Sequence, residues 1–142
     1  MRVLHLMTNI FLMSIFFAQD NKNDWPNLNR YQKENAIIEK NNENRPRVVF
    51  IGNSITEGWN WHYPQFFKNN KNYYNRGISG QTTPQMLIRF RQDVIDLDPD
   101  IVVILAGIND IAENTGPSTV KSITDNIISV SYTHLRAHET KR

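Results

Sequence analysis

Apolar positions in this chain come in blocks. Residues 47–51 (RVVFI) form a β-branched run without alternation, bounded by Pro46 and Gly52. Residues 100–105 (DIVVIL) repeat that pattern, and 71–75 (KNYYN) give a third short run. Unbroken runs of this length predict strands covered on both faces, as in a parallel sheet. Between them the period changes. In 83–96 (TPQMLIRFRQDVID) Met86, Leu87, Phe90, Val94 and Ile95 recur at helical spacing, Pro84 sits in the first turn and Thr82 or Thr83 can cap. That stripe is read as sheet-facing core. Residues 29–41 carry Tyr31, Ala36, Ile37 and Ile38 among charges and predict a helix, with a turn or linker over 41–46. Residues 61–68 are aromatic-rich and predict another helix. Residues 107–116 predict a loop and 117–128 a last helix. Residues 19–28 are polar, broken at Trp25-Pro26, and predict a mobile lead. Strands alternating with helices imply parallel pairing and a doubly wound α/β sheet.

The two ends do not belong to this pattern. Residues 1–18 show a basic Arg2, a mostly apolar stretch from Val3 to Phe17 and a small Ala18 before polar Gln19 and Asp20. This is the three-part layout of a secretory signal peptide cut after Ala18, although Phe16 stands where a small residue is usual. It predicts an exported protein with no stable membrane span once the signal is removed. At the other end, 130–140 reads VSYTHLRAHET, which matches one reading frame of a transposon-based sequencing adapter. Residues 129–142 are therefore expected to be an adapter-derived tail, either unpacked or simply continuing the helix before it. Residues 19–128 are expected to be the N-terminal part of one domain.

Composition sharpens this reading. The chain has 142 residues and a formal net charge of +2. Residues 19–128 alone hold 12 Lys and Arg against 13 Asp and Glu. The basic excess thus comes from the ends, and no Lys/Arg stripe argues for nucleic acid. The chain has no cysteine, which excludes a disulfide, a thiolate zinc site and a cysteine nucleophile.

In a doubly wound sheet ligands bind beyond the carboxyl ends of the strands. The first predicted strand is followed by Gly52-Asn53-Ser54-Ile55-Thr56, the second by 75–82 (NRGISGQT) and the third by Ala106-Gly107-Ile108-Asn109-Asp110. Acyl transfer needs a hydroxyl nucleophile and fixed donors for a tetrahedral oxyanion. Ser54 can expose a hydroxyl at the sheet edge, Gly80 can bring its N–H close to a ligand, and Asn109 supplies an amide. Each alone is ordinary turn or cap chemistry. Together, and in this order, they make a candidate site.

The strings VVFIGNSITEGW, NRGISGQTT and ILAGINDIAENTG resemble the first three blocks of the SGNH hydrolases, the GDSL-type esterases and lipases. The resemblance covers 47–128 and implies a flavodoxin-like parallel sheet, with three of the family's usual five strands present. It implies hydrolysis of carboxylic esters, such as O-acetylated carbohydrate or short acyl esters, without metal or cofactor. Ser54 would be the nucleophile. The N–H groups of Ser54 and Gly80, with the Asn109 side chain, would form the oxyanion hole. Two departures stand out. The family's usual Asp before the serine is Asn53 here. The family's last block, an Asp and a His three residues apart, has no counterpart in this sequence: His5 lies in the signal segment, His134 and His138 lie in the tail, and His62 comes far too early. The chain as it stands is expected to be inactive for want of a general base.

Trp59, Trp61, Tyr63, Phe66 and Phe67 follow the nucleophile loop and fit core packing or a lid. Trp59 and Trp61 are also candidates for a substrate-contacting wall. Arg76 either braces the second loop or meets an anionic substrate, and Asp110 is expected to order its loop. A nucleotide-binding domain is disfavoured because Gly52 to Gly58 lacks both the P-loop ending and G-x-G-x-x-G, and Thr56 breaks the G-x-S-x-G elbow. A non-catalytic carbohydrate-binding module on the same fold, or a lysophospholipase- or thioesterase-type activity, stays open.

Overall fold

The computed structural model describes residues 24–38, 46–113 and 119–139. In chain order these are α1 (Gln32–Ile37), β1 (Val48–Gly52), α2 (Ser54–His62), α3 (Pro64–Asn69), β2 (Tyr73–Gly77), α4 (Thr83–Asp93), a 3-10 turn (Ile95–Leu97), β3 (Ile101–Leu105), α5 (Ile108–Glu113) and α6 (Thr119–Glu139). The strands form one parallel sheet in the order β2-β1-β3. Helices lie on both faces, as the apolar runs require. Val49 and Ile51 of β1 point into a core with Met86, Phe90, Val94, Ile95, Leu97 and Val130, which α4 and α6 close. Phe50 points the other way, its ring within 5.6–5.8 Å of Trp59, Phe66, Phe67 and Tyr73, under α2 and α3. The register pairs Gly52 with both Gly77 and Leu105, so all three strands end level.

Several elements differ from the sequence reading. The second strand lies two residues later than expected. Its buried end, Asn75-Arg76-Gly77, is polar and leaves no hydrophobic signature, but every group is bonded: Asn75 Nδ2 donates to the Thr56 carbonyl, Asn75 Oδ1 accepts from Gly77 N–H (2.8 Å) and Arg76 Nε donates to Asn35 Oδ1 (2.9 Å). The helix expected over 61–68 is instead two helices, divided at Tyr63, with Pro64 opening the second. The helix expected over 83–96 ends at Asp93 and tightens into the 3-10 turn, which closes on left-handed Asp98. The stretch 107–116, expected as a loop, contains α5. The third strand, expected to be buried, is an edge among the described residues. Ile101, Val103 and Leu105 on one of its faces are 48%, 39% and 43% exposed, because no described helix covers that part of the sheet.

The expected mobile lead is tied down from residue 24. Asp24 accepts from the N–H groups of Leu28 (2.7 Å) and Asn29 (2.9 Å). The carbonyls of Trp25, Pro26 and Leu28 accept from the side-chain amides of Gln85, Gln81 and Gln92, at 2.8, 2.7 and 2.6 Å. Irregular backbone must find such partners when it lies against a domain. The proposed signal segment, the linker 41–45 and the loop at 114–116 lie outside the described residues. The last helix does not stop at 128. It runs to Glu139 and places Val130 in the core.

Candidate active site

The level strand ends launch three loops from one edge of the sheet, and each carries one of the expected residues. Asn53 leaves β1 extended and caps α2, its Oδ1 accepting from Ile55 N–H (3.0 Å). A side-chain acceptor at this position satisfies one of the free N–H groups of a helix start. Ser54 is therefore the first residue of a nine-residue helix, exposed, at the end where backbone N–H groups favour negative charge. Asn53 itself is fully buried, and its Nδ2 has no hydrogen-bond partner among the described residues.

Gly77 lets α2 sit directly on the end of β2. A methyl group there would fall 2.2 Å from Glu57 N and 2.7 Å from Glu57 Cα. Beyond it, Gly80 adopts φ +77° with nothing within 4 Å of where its Cβ would be. Its backbone is thus open on one side and held in a conformation that glycine adopts without strain. Glu57, buried on α2, reaches across to this second loop. Its Oε2 accepts from the N–H (2.8 Å) and the hydroxyl of Ser79, while Oε1 takes Arg30 Nη2 at 3.4 Å.

After β3, in the first turn of α5, Asn109 Nδ2 donates to the carbonyl of Gln81 (2.9 Å). A side-chain amide has two N–H groups, so one such bond orients it and leaves the other. Asp110 binds both the N–H (3.0 Å) and the hydroxyl of Thr83 at the start of α4, which fixes the loop.

Behind the three loops lies a buried polar network. Arg89 is 0% exposed, and its guanidinium donates to the Gly52 carbonyl (3.2 Å), Gln81 Oε1 (2.5 Å) and Asp93 Oδ2 (3.0 Å). Asp93 Oδ1 accepts from Asn35 Nδ2 (2.7 Å), and Asn35 Oδ1 from Arg76. Burial pushes both guanidinium groups below their ordinary pKa; Asp93 opposes this at Arg89, and Glu34 chiefly does so at Arg76. Arg76 is buried, lies over the Tyr31 ring at 4.7 Å and ties β2 to α1 through Asn35.

Trp59 joins Ser54, Ile55, Gly58, His62 and Tyr63 around an open groove along α2, and its ring is fixed against Phe50 and Phe66. Trp61 is exposed but does not line that groove. His62 shares the groove, yet it is eight residues along the same helix, about 12 Å at the helical rise, too far to take a proton from Ser54. No group of three or more His, Asp or Glu among the described residues is placed to hold a metal.

The sequence reading missed Glu57, Gln81, Arg89 and Asn35. A signal existed for Arg89 and Asp93: they stand four apart on the stripe marked by Met86 and Phe90, where apolar residues are expected.

A family model for the GDSL-like lipase/acylhydrolase family matches residues 50–141. The chain belongs to this family. Among solved structures, this GDSL-like chain is similar to a candidate acylhydrolase from Bacteroides fragilis, with 52% identity and a TM-score of 0.75 over 80% of this chain and 54% of that one. It is also similar to a GDSL-like lipase from Bacteroides thetaiotaomicron, with 49% identity and a TM-score of 0.73 over 79% of this chain and 54% of that one. An uncharacterised lipoprotein of Bacillus subtilis is 37% identical over 78 residues, 46% of this chain and 32% of the relative. The GDSL-like chain thus spans about half the length of those solved structures and a third of that lipoprotein. Ester hydrolysis is the activity that goes with the family.

Proposed function

We propose that the protein is an exported serine esterase that cleaves small carboxylic esters, O-acetylated carbohydrate or short acyl esters, with Ser54 as nucleophile. The N–H groups of Ser54 and Gly80 and the Asn109 amide receive the oxyanion. The observation that carries this reading is the level ending of the three strands, which sends the loops bearing Ser54, Gly80 and Asn109 off one edge. Ser54 attacks the ester carbonyl carbon, and the carbonyl oxygen takes up negative charge against the three donors. The tetrahedral adduct collapses to an acyl-serine and an alcohol, and water then releases the acid.

His62, the histidine whose side chain is described, does not reach Ser54, so this reading takes its proton acceptor from outside the described residues. Without such an acceptor a site of this kind retains only what oxyanion binding and positioning supply, roughly 10³–10⁴-fold over water. The likeness to a lipoprotein supports export by way of residues 1–18.

The test is hydrolysis of p-nitrophenyl acetate by the full-length protein. Ser54→Ala is expected to abolish turnover, and Asn109→Ala to lower kcat about a hundredfold or more. Unchanged turnover in Ser54→Ala would remove the nucleophile assignment. Undiminished binding of an acetylated oligosaccharide, with no hydrolysis even by the wild type, would instead favour a binding module.

A further inference from the structure

We propose that Arg89 is a positioning residue of this site, holding the three loops at one fixed spacing through Gln81; the proposal rests on the esterase reading above.

One buried guanidinium reaches both the strand end before Ser54 and the residue after Gly80. Its Nη2 binds the carbonyl of Gly52, two residues before Ser54. Its Nε binds the side chain of Gln81, the residue after Gly80. Gln81 passes the constraint on, because its own carbonyl takes the Asn109 amide (2.9 Å). The nucleophile loop, the glycine loop and the asparagine turn are therefore joined through the side chains of Arg89, Gln81 and Asn109. Gln81 is itself buried and is pinned from behind by the Pro26 carbonyl (2.7 Å), so it cannot swing to a new position without losing that bond.

A purely structural need does not explain this choice. Arg89 stands on the core-facing stripe of α4 between Met86 and Phe90, where a methionine or leucine would bury more apolar area with no desolvation cost. A buried, fully paired charge adds little to stability that an apolar side chain would not, and such a break of the local rule points to function. The planar fork of arginine suits the task, since it serves three acceptors in different directions from one rigid group; a lysine ammonium on a flexible stem does not fix their spacing. Oxyanion donors must stand within a fraction of an ångström of the developing charge, and small misplacements remote from the chemistry lower the rate strongly.

The test separates positioning from folding. Arg89→Met combined with Asp93→Asn removes both charges, so that neither is left buried alone; such paired replacements are often tolerated. In the full-length protein this double variant is expected to melt cooperatively near the wild-type temperature, to keep KM for p-nitrophenyl acetate within about threefold and to lose kcat about a hundredfold. Gln81→Ala, which leaves Arg89 and Asp93 paired, is expected to lower kcat in the same way. Adding it to the double variant should cost little more, because both break one connection. Arg89→Lys should not restore kcat. The readout free of turnover is nuclear magnetic resonance of the Gly80 N–H and the Asn109 side-chain amide, which should shift in both variants. Wild-type kcat in a folded double variant, or losses that add fully, would overturn the proposal, as would unmoved Gly80 and Asn109 signals. Full activity in Ser54→Ala would overturn the esterase reading alone, because the resonance shifts still judge whether Arg89 and Gln81 fix the loops.

Discussion

Tyr31 shows how one residue reports on the whole edge of the sheet. Tyr31 is 2% exposed, its hydroxyl donates to the Gly77 carbonyl, and the guanidinium groups of Arg30 and Arg76 lie over its ring at 4.8 and 4.7 Å. Burial pushes the phenol up to about 12 from an ordinary 10. The native protein then keeps a proton that the unfolded chain releases near pH 10. Stability is full below that point and falls as the pH climbs towards 12, by roughly 2–3 kcal/mol in all. Urea melts between pH 9 and 12 should show the decline, and Tyr31→Phe should flatten it. An equally steep decline in Tyr31→Phe would place the cause elsewhere. In the sequence Tyr31 was visible only as an apolar position of the first helix; the hydrogen bond to a residue 46 positions away came from the fold.

At the scale of elements, the contact between α2 and β2 decides where Ser54 stands. The helix starts where Asn53 caps it, and it approaches the sheet only because Gly77 has no side chain. Gly77→Ala would press a methyl group into the backbone of Thr56 and Glu57, which cannot yield as a side-chain tip can. The expected cost is about 3 kcal/mol, the upper end for overpacking, read as a lowered urea midpoint. The displaced helix should also lower Ser54-dependent turnover further than the folded fraction accounts for. A variant as stable as the wild type would show that α2 has slack at this contact. Sequence patterning located β1, α4 and β3 to within a few residues because each carries a strong apolar run or stripe. It missed α2 and α5 because neither buries an apolar stripe: α2 buries Thr56, Glu57 and Gly58, and α5 only Asp110.

At the scale of the whole molecule, the sheet is covered unevenly. β1 is central and enclosed, whereas β3 presents Ile101, Val103 and Leu105 on a face with no described helix over it and pairs on one side only. An apolar, unpaired edge of this kind is a template for association. The 142-residue chain is therefore expected to self-associate in sedimentation experiments, and Val103→Lys to shift it towards monomer without changing its circular dichroism. A monodisperse wild-type chain at high concentration would mean that this face is covered in solution.

Local physics in the sequence determined a good deal by itself. The β-branched runs set β1 and β3, the spacing of Met86 and Phe90 set the buried face of α4, and the alternation of strand and helix set a parallel sheet with its candidate ligand edge at the strand ends. These follow from nearest-neighbour chemistry and periodicity, which a single chain displays openly. What only tertiary structure decided is how the three loops are held. Gln81, Asn35 and Glu57 look like solvent-facing residues in the sequence, since charge and amide groups ordinarily seek water, and Arg89 and Asp93 show only as an interruption of an apolar stripe. Arg89, Gln81, Asp93 and Glu57 lie inside, and Asn35 half-buried, because partners 4 to 58 residues away replace the water. A buried polar group is stable only when every partner is in place, and no local pattern encodes where those partners will be.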